Sequence, residues 1–165
     1  MRIVQDVTLE AGEIDITKIE IDTKSRDDVP QILRGLQYLY TQKETREKLF
    51  RILEELIPKT VDRKNGRPGM DLWRIFVLGT LRISLGIDYD RLHDYANHHA
   101  KIREMLGHPR SDETYYHCQT IKDNIALFTP EILGKINVLI VNTGHKILKK
   151  NRKRRHYVVE AIRLL

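Results

Sequence analysis

The sequence predicts a mainly α-helical domain with a helix-turn-helix-like core and an N-terminal β-hairpin arm. Apolar residues recur at steps of three and four between residues 32 and 148, which is the spacing of one face of an α-helix. A two-residue period, typical of a β-strand, appears only before residue 24. Between residues 66 and 108, a long apolar stretch is followed by two short ones. One long helix with two short helices turning across it is the order of elements in a helix-turn-helix unit.

The composition indicates one globular domain whose charge is unevenly placed. The chain has 165 residues and a formal net charge of +6, and residues 149–155 alone carry six Lys or Arg and no acid. Because the six cations of this run equal the net charge of the whole chain, the sequence pI of about 9.4 is by itself weak evidence for a nucleic-acid partner. The single cysteine, Cys118, leaves no intrachain disulfide and favours a reducing compartment. No apolar run approaches the roughly 20 residues of a membrane span, and acids near the N-terminus argue against a signal peptide, so we expect a cytoplasmic protein.

Residues 1–24 are predicted to form the β-arm. Isoleucine, valine and threonine favour extended chain, and Gly12 is a natural turn between two strands. An isolated hairpin is only marginally stable in water, so the arm must pack on the helices, pair with a second copy or be loose. Pairing with a second copy would make it the dimerisation element of a homodimer. The isoleucines of the second strand alternate imperfectly with polar residues: Ile14, Ile16, Ile19 and Ile21.

The helical domain is predicted to span residues 25–148. Its first helix begins near Asp27 or Asp28, either of which can cap the free N–H groups of the first turn. Thr41 and Glu44 match a capping box, S/T-x-x-E. The sequence therefore predicts that a second helix begins there.

A basic connection at residues 62–69 leads into the central stretch, either as a surface loop or as an arm that contacts phosphate. Asp71 is predicted to cap the long helix that follows, and Gly86 to end it. The next helix begins at Asp88-Tyr89-Asp90. Asn97-His98-His99 is a polar corner before the third helix of the unit.

Two further helices are predicted after the central stretch. The first spans residues 115–128 and is capped by Asp112 or Thr114. Its side rich in Gln, Thr, Lys and Asn is what reading base edges requires, and it is also what any surface helix looks like. The second begins at Thr129 with a proline at its first position. It continues into residues 149–155, which are either a solvated tail or a phosphate contact.

The chemically reactive side chains form no pattern typical of an active site. The seven histidines lack the short spacings of a tetrahedral metal site, so we predict no metal ligand. Cys118 has no nucleophile signature around it. Asp71, Asp88, Asp90 and Asp94 are explained by helix caps and helix surface rather than by two-metal chemistry. The sequence predicts no catalytic residue, no cofactor and no small-molecule substrate for this chain.

The central stretch carries a family resemblance. GRPGMDLWRIFVLGTLRISLGIDYDRLHDYANHHAKIREMLGH, residues 66–108, resembles the N-terminal region of ISNCY-type insertion-sequence transposases, which are bacterial DDE recombinases. Segments within residues 119–137 and the sequence Gly144-His145-Lys146 are similar to the same family, and the match covers roughly residues 30–150. The resemblance implies a helical domain that recognises the terminal inverted repeats of the mobile element. A ribonuclease-H-like catalytic domain, in which two Asp and one Glu hold magnesium, would follow it.

The chain departs from this family where the catalytic domain is expected. Tyr157-Val158-Val159-Glu160 looks like the start of the strand that carries the first catalytic aspartate, but residues 161–165 depart from that pattern. Residues 149–165 are therefore interpreted as the basic run and the truncated start of the following domain. We expect a truncated or frame-shifted transposase product, or a fragment of the N-terminal region, without strand-transfer activity of its own.

Double-stranded DNA is the predicted partner. The alternatives left open are a stand-alone helix-turn-helix regulator, a truncated transposase that dimerises with and inhibits the full-length enzyme, and a metal-dependent nuclease. The residues predicted to contact DNA share positive charge or hydrogen-bonding capacity at candidate surface positions. They are Lys64, Arg67, His98, His99, Lys101, Arg103, Gln119, Lys122, Lys149, Lys150, Arg152, Lys153, Arg154 and Arg155.

Overall fold

Seven α-helices and no β-strand are present in the part of the chain that this computed structural model describes. The described residues are 14–57 and 69–150, with side chains described as far as residue 147. The mainly α-helical prediction is confirmed. In chain order the helices are α1 (Asp28–Thr41), α2 (Lys43–Glu54), α3 (Leu72–Leu85), α4 (Tyr89–His98), α5 (Ala100–Met105), α6 (Cys118–Ile125) and α7 (Pro130–Lys150).

The prediction of a β-arm is wrong for residues 14–24. Instead of a strand, the chain forms a short 3-10 helix at Ile16–Lys18. The buried side chain of Gln37 in α1 explains the difference, because its Nε2 donates to the carbonyls of Ile16 at 3.0 Å and Ile19 at 2.8 Å. These carbonyls are thus satisfied by a side chain rather than by a neighbouring strand. The first predicted strand and its turn lie outside the described residues, so pairing with a second copy stays a prediction.

The junction between α1 and α2 differs from the predicted capping box. The prediction of a new helix is confirmed, but α2 begins at Lys43 after Gln42, and Thr41 is the last residue of α1. The Thr41 hydroxyl donates to the carbonyl of Gln37 at 2.8 Å, so it follows α1 rather than capping α2. Glu44 instead accepts from Lys48 at 2.6 Å, one turn further along α2. The capping box is therefore wrong.

The buried indole of Trp73 joins four helices. Its ring centroid lies 4.8 Å from that of Tyr40 in α1 and 6.5 Å from that of Phe50 in α2. The indole N–H donates to the carbonyl of Met105, the last residue of α5, at 2.9 Å. Because a buried indole N–H without a partner is costly, this hydrogen bond fixes the N-terminal end of α3 against α5.

The predicted limits of α3 and the start of α4 are confirmed. The Asp71 carboxylate accepts from the backbone N–H of Trp73 at 2.8 Å, and Asp88 accepts from that of Arg91 at 2.8 Å. Gly86 has φ +60°, the left-handed conformation that ends many helices and that other residues rarely adopt. These three signals are local in sequence, which explains why the pattern alone identifies them.

The prediction for the next helix is wrong in its limits and its cap. α6 begins at Cys118, and Asp112 accepts from the backbone N–H of Thr114 at 2.8 Å, so it stabilises a turn four residues before α6. For α7 the predicted start is confirmed, since the Thr129 hydroxyl accepts from the N–H of Ile132 at 3.3 Å.

Helices α3, α4 and α6 pack against one another in pairs, whereas α5 packs against α4 and α1. Gly79 permits the close approach of α3 to the turn that follows α6, because a Cβ atom at this position would lie 2.8 Å from the Phe128 ring. The prediction combined α3 and α4 with the short helix that follows α4. In the structure, α6 completes the mutually packed set of three.

Helix α7 runs antiparallel to α2 along one side of the domain. Lys135 of α7 bonds to Glu55, just after α2, at 2.6 Å, and Lys146 lies 3.7 Å from Glu44 in the first turn of α2. Within the described ranges, no single helix has the length and apolar character to cross a membrane. α6 and α7 pass that test only as a pair, and they are bent by 81° relative to each other.

Candidate nucleic-acid interface

Side chains from α4 and α5 hold the segment that leads into α6. Arg103 donates from Nη2 to the carbonyl of Asp112 at 2.7 Å and from Nη1 to the carbonyl of Thr114 at 2.9 Å. Asn97 pairs twice with Tyr116: its Oδ1 accepts from the backbone N–H at 2.8 Å, and its Nδ2 donates to the carbonyl at 3.0 Å. Because Tyr116 lies two residues before α6, these bonds fix the point from which α6 begins.

A buried chain of hydrogen bonds joins the two ends of the same segment through His108. His108 is 1% exposed, and its Nδ1 bonds to Asp112 at 2.6 Å while its Nε2 bonds to the Tyr116 hydroxyl. A carboxylate only accepts, so Nδ1 carries the proton and Nε2 accepts from the tyrosine. Burial lowers the pKa of His108 and raises the pKa of Tyr116 to about 12. Hydrogen bonds from Thr114 and then His108 hold the pKa of Asp112 well below its usual range.

The outward side of α6 presents two of the predicted DNA contacts. Gln119 is exposed and donates from Nε2 to Asp123 at 2.6 Å. Lys122 is half-buried, and its Nζ lies 5.7 Å from the centre of the Tyr89 ring. The opposite side of α6 packs into the core through the fully buried Ile121. Each candidate therefore projects from a packed helix, but each already has a partner that a base edge would have to replace.

Planar side chains cluster beside the start of α6. The Tyr115 hydroxyl bonds to Nε2 of His93 at 3.0 Å, and the ring centroids of Tyr115 and His117 lie 5.5 Å apart. Tyr115 is 54% exposed, so its ring is accessible from the surface. This cluster adds polar aromatic surface at the N-terminal end of α6.

Three other predicted contacts have partners within their own region of the chain. His98 bonds to Asp94 at 2.9 Å and Lys101 to Glu104 at 2.7 Å. The ring of His99 accepts from the first turn of α5 at 3.3 Å, which makes it the N-cap of that helix. None of these three bonds to α6 within the part of the chain that the structure describes.

The remaining predicted contacts lie at or beyond the limits of the described chain. Lys149 and Lys150 belong to the last turn of α7, but their side chains are not described. Six further residues fall outside the described residues altogether: Lys64, Arg67, Arg152, Lys153, Arg154 and Arg155.

The part of the chain described with side chains has almost no net charge. Residues 14–57 and 69–147 contain 17 Lys and Arg against 18 Asp and Glu. An acid also lies at the start of α6, since Sγ of Cys118 is 3.8 Å from the Asp90 carboxylate. The net charge of this part of the chain therefore supplies little attraction for a polyanion.

Sequence reasoning missed the residues that anchor α6. Asn97 and His108 contact Tyr116 across 19 and 8 positions respectively, and no local pattern encodes such partners. The one usable signal is that asparagine is a poor helix former, which makes Asn97 in the last turn of a helix a candidate for a tertiary hydrogen bond. Arg103 was predicted as a DNA contact, and the structure directs its guanidinium towards backbone carbonyls.

Among the described residues, no group of three or more His, Cys, Asp or Glu is placed to hold a metal ion. No family model, curated protein or solved structure matches the chain.

Proposed function

We propose that this chain recognises duplex DNA at the ends of an insertion sequence, as the N-terminal region of a DDE transposase, with α6 entering the major groove. The observation that carries the proposal is the mutual packing of α3, α4 and α6 together with the anchoring of the segment before α6. Three-helix variants of the helix-turn-helix place their last helix in the major groove, which is the role proposed for α6.

The connection from α4 to α6 is longer than the turn of three or four residues that joins the two helices of a helix-turn-helix. In this chain α5 and the anchored segment occupy the connection, and Arg103 and Asn97 supply the rigidity that a short turn otherwise provides. A recognition helix held in advance loses less conformational entropy when it binds. The eight residues of α6 measure about 12 Å, a length that fits within the major groove.

Gln119 and Lys122 are the proposed base-reading residues. Glutamine pairs with adenine through both its amide atoms, and lysine donates to guanine. Asp123 holds the Gln119 amide before binding, and the Tyr89 ring supports the Lys122 side chain. The proposal assigns no bond-breaking role to this chain, and the magnesium chemistry that the family resemblance implies belongs to a catalytic domain.

The test measures sequence preference. The full chain is titrated with duplexes taken from the DNA that flanks its coding sequence on each side, and with shuffled duplexes of the same composition. Gln119→Ala and Lys122→Ala are each expected to reduce the preference by roughly 5- to 150-fold, because one good base contact contributes about 1–3 kcal/mol. Asn137→Ala removes an exposed amide from α7 and is the matched control. Equal loss on both kinds of duplex, or no preference in the unaltered chain, would contradict the proposal.

The arrangement of the binding sites separates the transposase from the regulator. A transposase end-binding domain is expected to protect sites on both flanks, in inverted orientation. A regulator is expected to protect one site upstream of its target gene. Footprinting of both flanks on one DNA fragment distinguishes the two patterns directly.

A further inference from the structure

An open groove of about 620 Å³ runs between α2 and α7, on elements that take no part in anchoring α6. The antiparallel helices form its two walls, and its floor contains the partly buried side chains of Ile52 and Leu139. Polar side chains, among them Asn142, fill much of the rest of its lining.

The charges that line this groove are mostly positive. Lys48, Arg51, Lys135 and Lys146 contribute cations, and Glu44 is the single acid among the lining residues that the structure describes. Because the described part of the chain as a whole has almost no net charge, this is a local excess of positive charge. Such an excess along an open groove attracts a polyanion.

The acids near the groove offset only part of its charge: four cations line it, and they face the carboxylates of Glu44 and of Glu55, which pairs with Lys135 at 2.6 Å. Glu44 serves two cations, since it accepts from Lys48 at 2.6 Å and lies 3.7 Å from Lys146. The hydrogen bond from Lys48, followed by the nearby charge of Lys146, holds the pKa of Glu44 below its usual value, so it stays ionised. The Arg51 side chain is exposed and has no hydrogen-bond or ion-pair partner among the described residues.

The most basic run of the sequence begins in the last turn of α7. α7 extends from the groove to Lys150, and residues 149–155 carry six Lys or Arg. Lys135 and Lys146 are eleven residues apart on α7, which corresponds to roughly 16 Å along the helix axis. DNA rises about 3.4 Å per nucleotide of one strand, so this distance matches several successive phosphates.

We propose that the α2/α7 groove binds the phosphate backbone of duplex DNA without regard to sequence. This inference rests on the proposed function and adds a second surface to it. α6 supplies discrimination between sequences, and the groove supplies the charge that the surroundings of α6 lack. An acidic protein segment is the other polyanion that fits the groove, and the experiment separates it from DNA.

The experiment compares the salt dependence of binding. The full chain, the double variant Arg51→Gln/Lys146→Gln and the control double variant Lys24→Gln/Arg26→Gln are titrated with flanking and shuffled duplexes at several salt concentrations. The control removes two exposed charges that do not line the groove. Thermal unfolding of each variant verifies that it is folded.

For the groove variant, the slope of log K against log salt concentration is expected to decrease in magnitude by about 2 on both duplexes, with unchanged sequence preference. The control variant is expected to change the slope by much less. A slope equal to that of the unaltered chain would overturn the inference. A second result would also overturn it. In that result the unaltered chain binds an acidic peptide such as oligoglutamate, and the groove variant loses this binding but keeps the salt slope of the unaltered chain on DNA.

The two proposals fail in different ways. If the unaltered chain prefers no sequence but the groove variant still loses slope, end recognition by α6 is wrong and the groove inference stands. If the preference persists and depends on Gln119 while the groove variant keeps its slope, the groove inference is wrong and end recognition stands.

Discussion

The segment before α6 and the groove between α2 and α7 are stabilised in different ways. In the first, Arg103, Asn97 and His108 direct side-chain donors and acceptors to groups of the segment, most of them partly or fully buried and one, the Thr114 carbonyl, exposed. In the second, the bonds between helices are ion pairs of exposed side chains, such as Lys135 with Glu55, whose exposures are 52% and 45%. Hydrogen bonds from a charged donor to the backbone contribute more to stability than exposed ion pairs do.

This difference fits the division of labour that the two proposals describe. A base-reading helix needs a fixed position, because a shift of about 1 Å is enough to break its contacts. A phosphate-binding surface needs accessible charge, and long flexible side chains that exchange partners meet that need. The anchored segment and the open groove therefore have the properties that specificity and affinity respectively require.

The largest expected effect comes from Arg103→Ala. It removes two short charged hydrogen bonds to carbonyls of the anchored segment, and we expect the free energy of unfolding to fall by about 2–3 kcal/mol. Lys135→Ala is the matched variant from the groove, and we expect a change of no more than about 0.5 kcal/mol. Urea unfolding at one pH measures both. Equal effects from the two variants would break the comparison.

A smaller effect is expected from pH in the anchored segment. Burial lowers the pKa of His108 below 6.5, so the unfolded chain takes up the proton first, and stability decreases as the pH falls through that range. The lowered pKa of Asp112 adds a further loss at more acidic pH. The pKa of Tyr116 is raised from 10 to about 12, so the unfolded chain loses its proton first and stability decreases above about pH 10.

The variants His108→Gln and Tyr116→Phe separate the loss of stability at acid pH, the acid limb of the profile, from the loss at alkaline pH, the alkaline limb. The first is expected to flatten the acid limb of the stability profile, and the second to flatten the alkaline limb, as measured by urea midpoints at pH 5.5, 8 and 10.5. Lys135→Ala is expected to leave both limbs unchanged. An acid limb that survives in His108→Gln would show that this buried chain is not its source.

The sequence predicted those features that depend on neighbouring residues. The caps at Asp27, Asp71, Asp88 and Thr129 were all confirmed, because a cap bonds to N–H groups two or three positions away. The strand predicted for residues 14–24 and the start of α6 were wrong, because each depends on distant partners. Gln37 donates hydrogen bonds to carbonyls of the segment before α1, and Asp112 stabilises a turn rather than the start of α6.

The candidate site was predictable only in part. A polar face on α6 identified Gln119 and Lys122, since helical spacing is visible in the sequence. The α2/α7 groove was not predicted, because Arg51 and Lys146 are 95 positions apart and only the fold brings their helices together. Charge counting indicated the terminal basic run and gave no sign of this second surface.

Amide hydrogen exchange of the full chain, with and without a duplex from the flanking DNA, tests the central claim most directly. The account predicts that bound duplex slows exchange most strongly in peptides that cover residues 115–125, because α6 lies in the groove of the DNA. The result that would contradict it is a bound duplex that leaves exchange in these peptides unchanged.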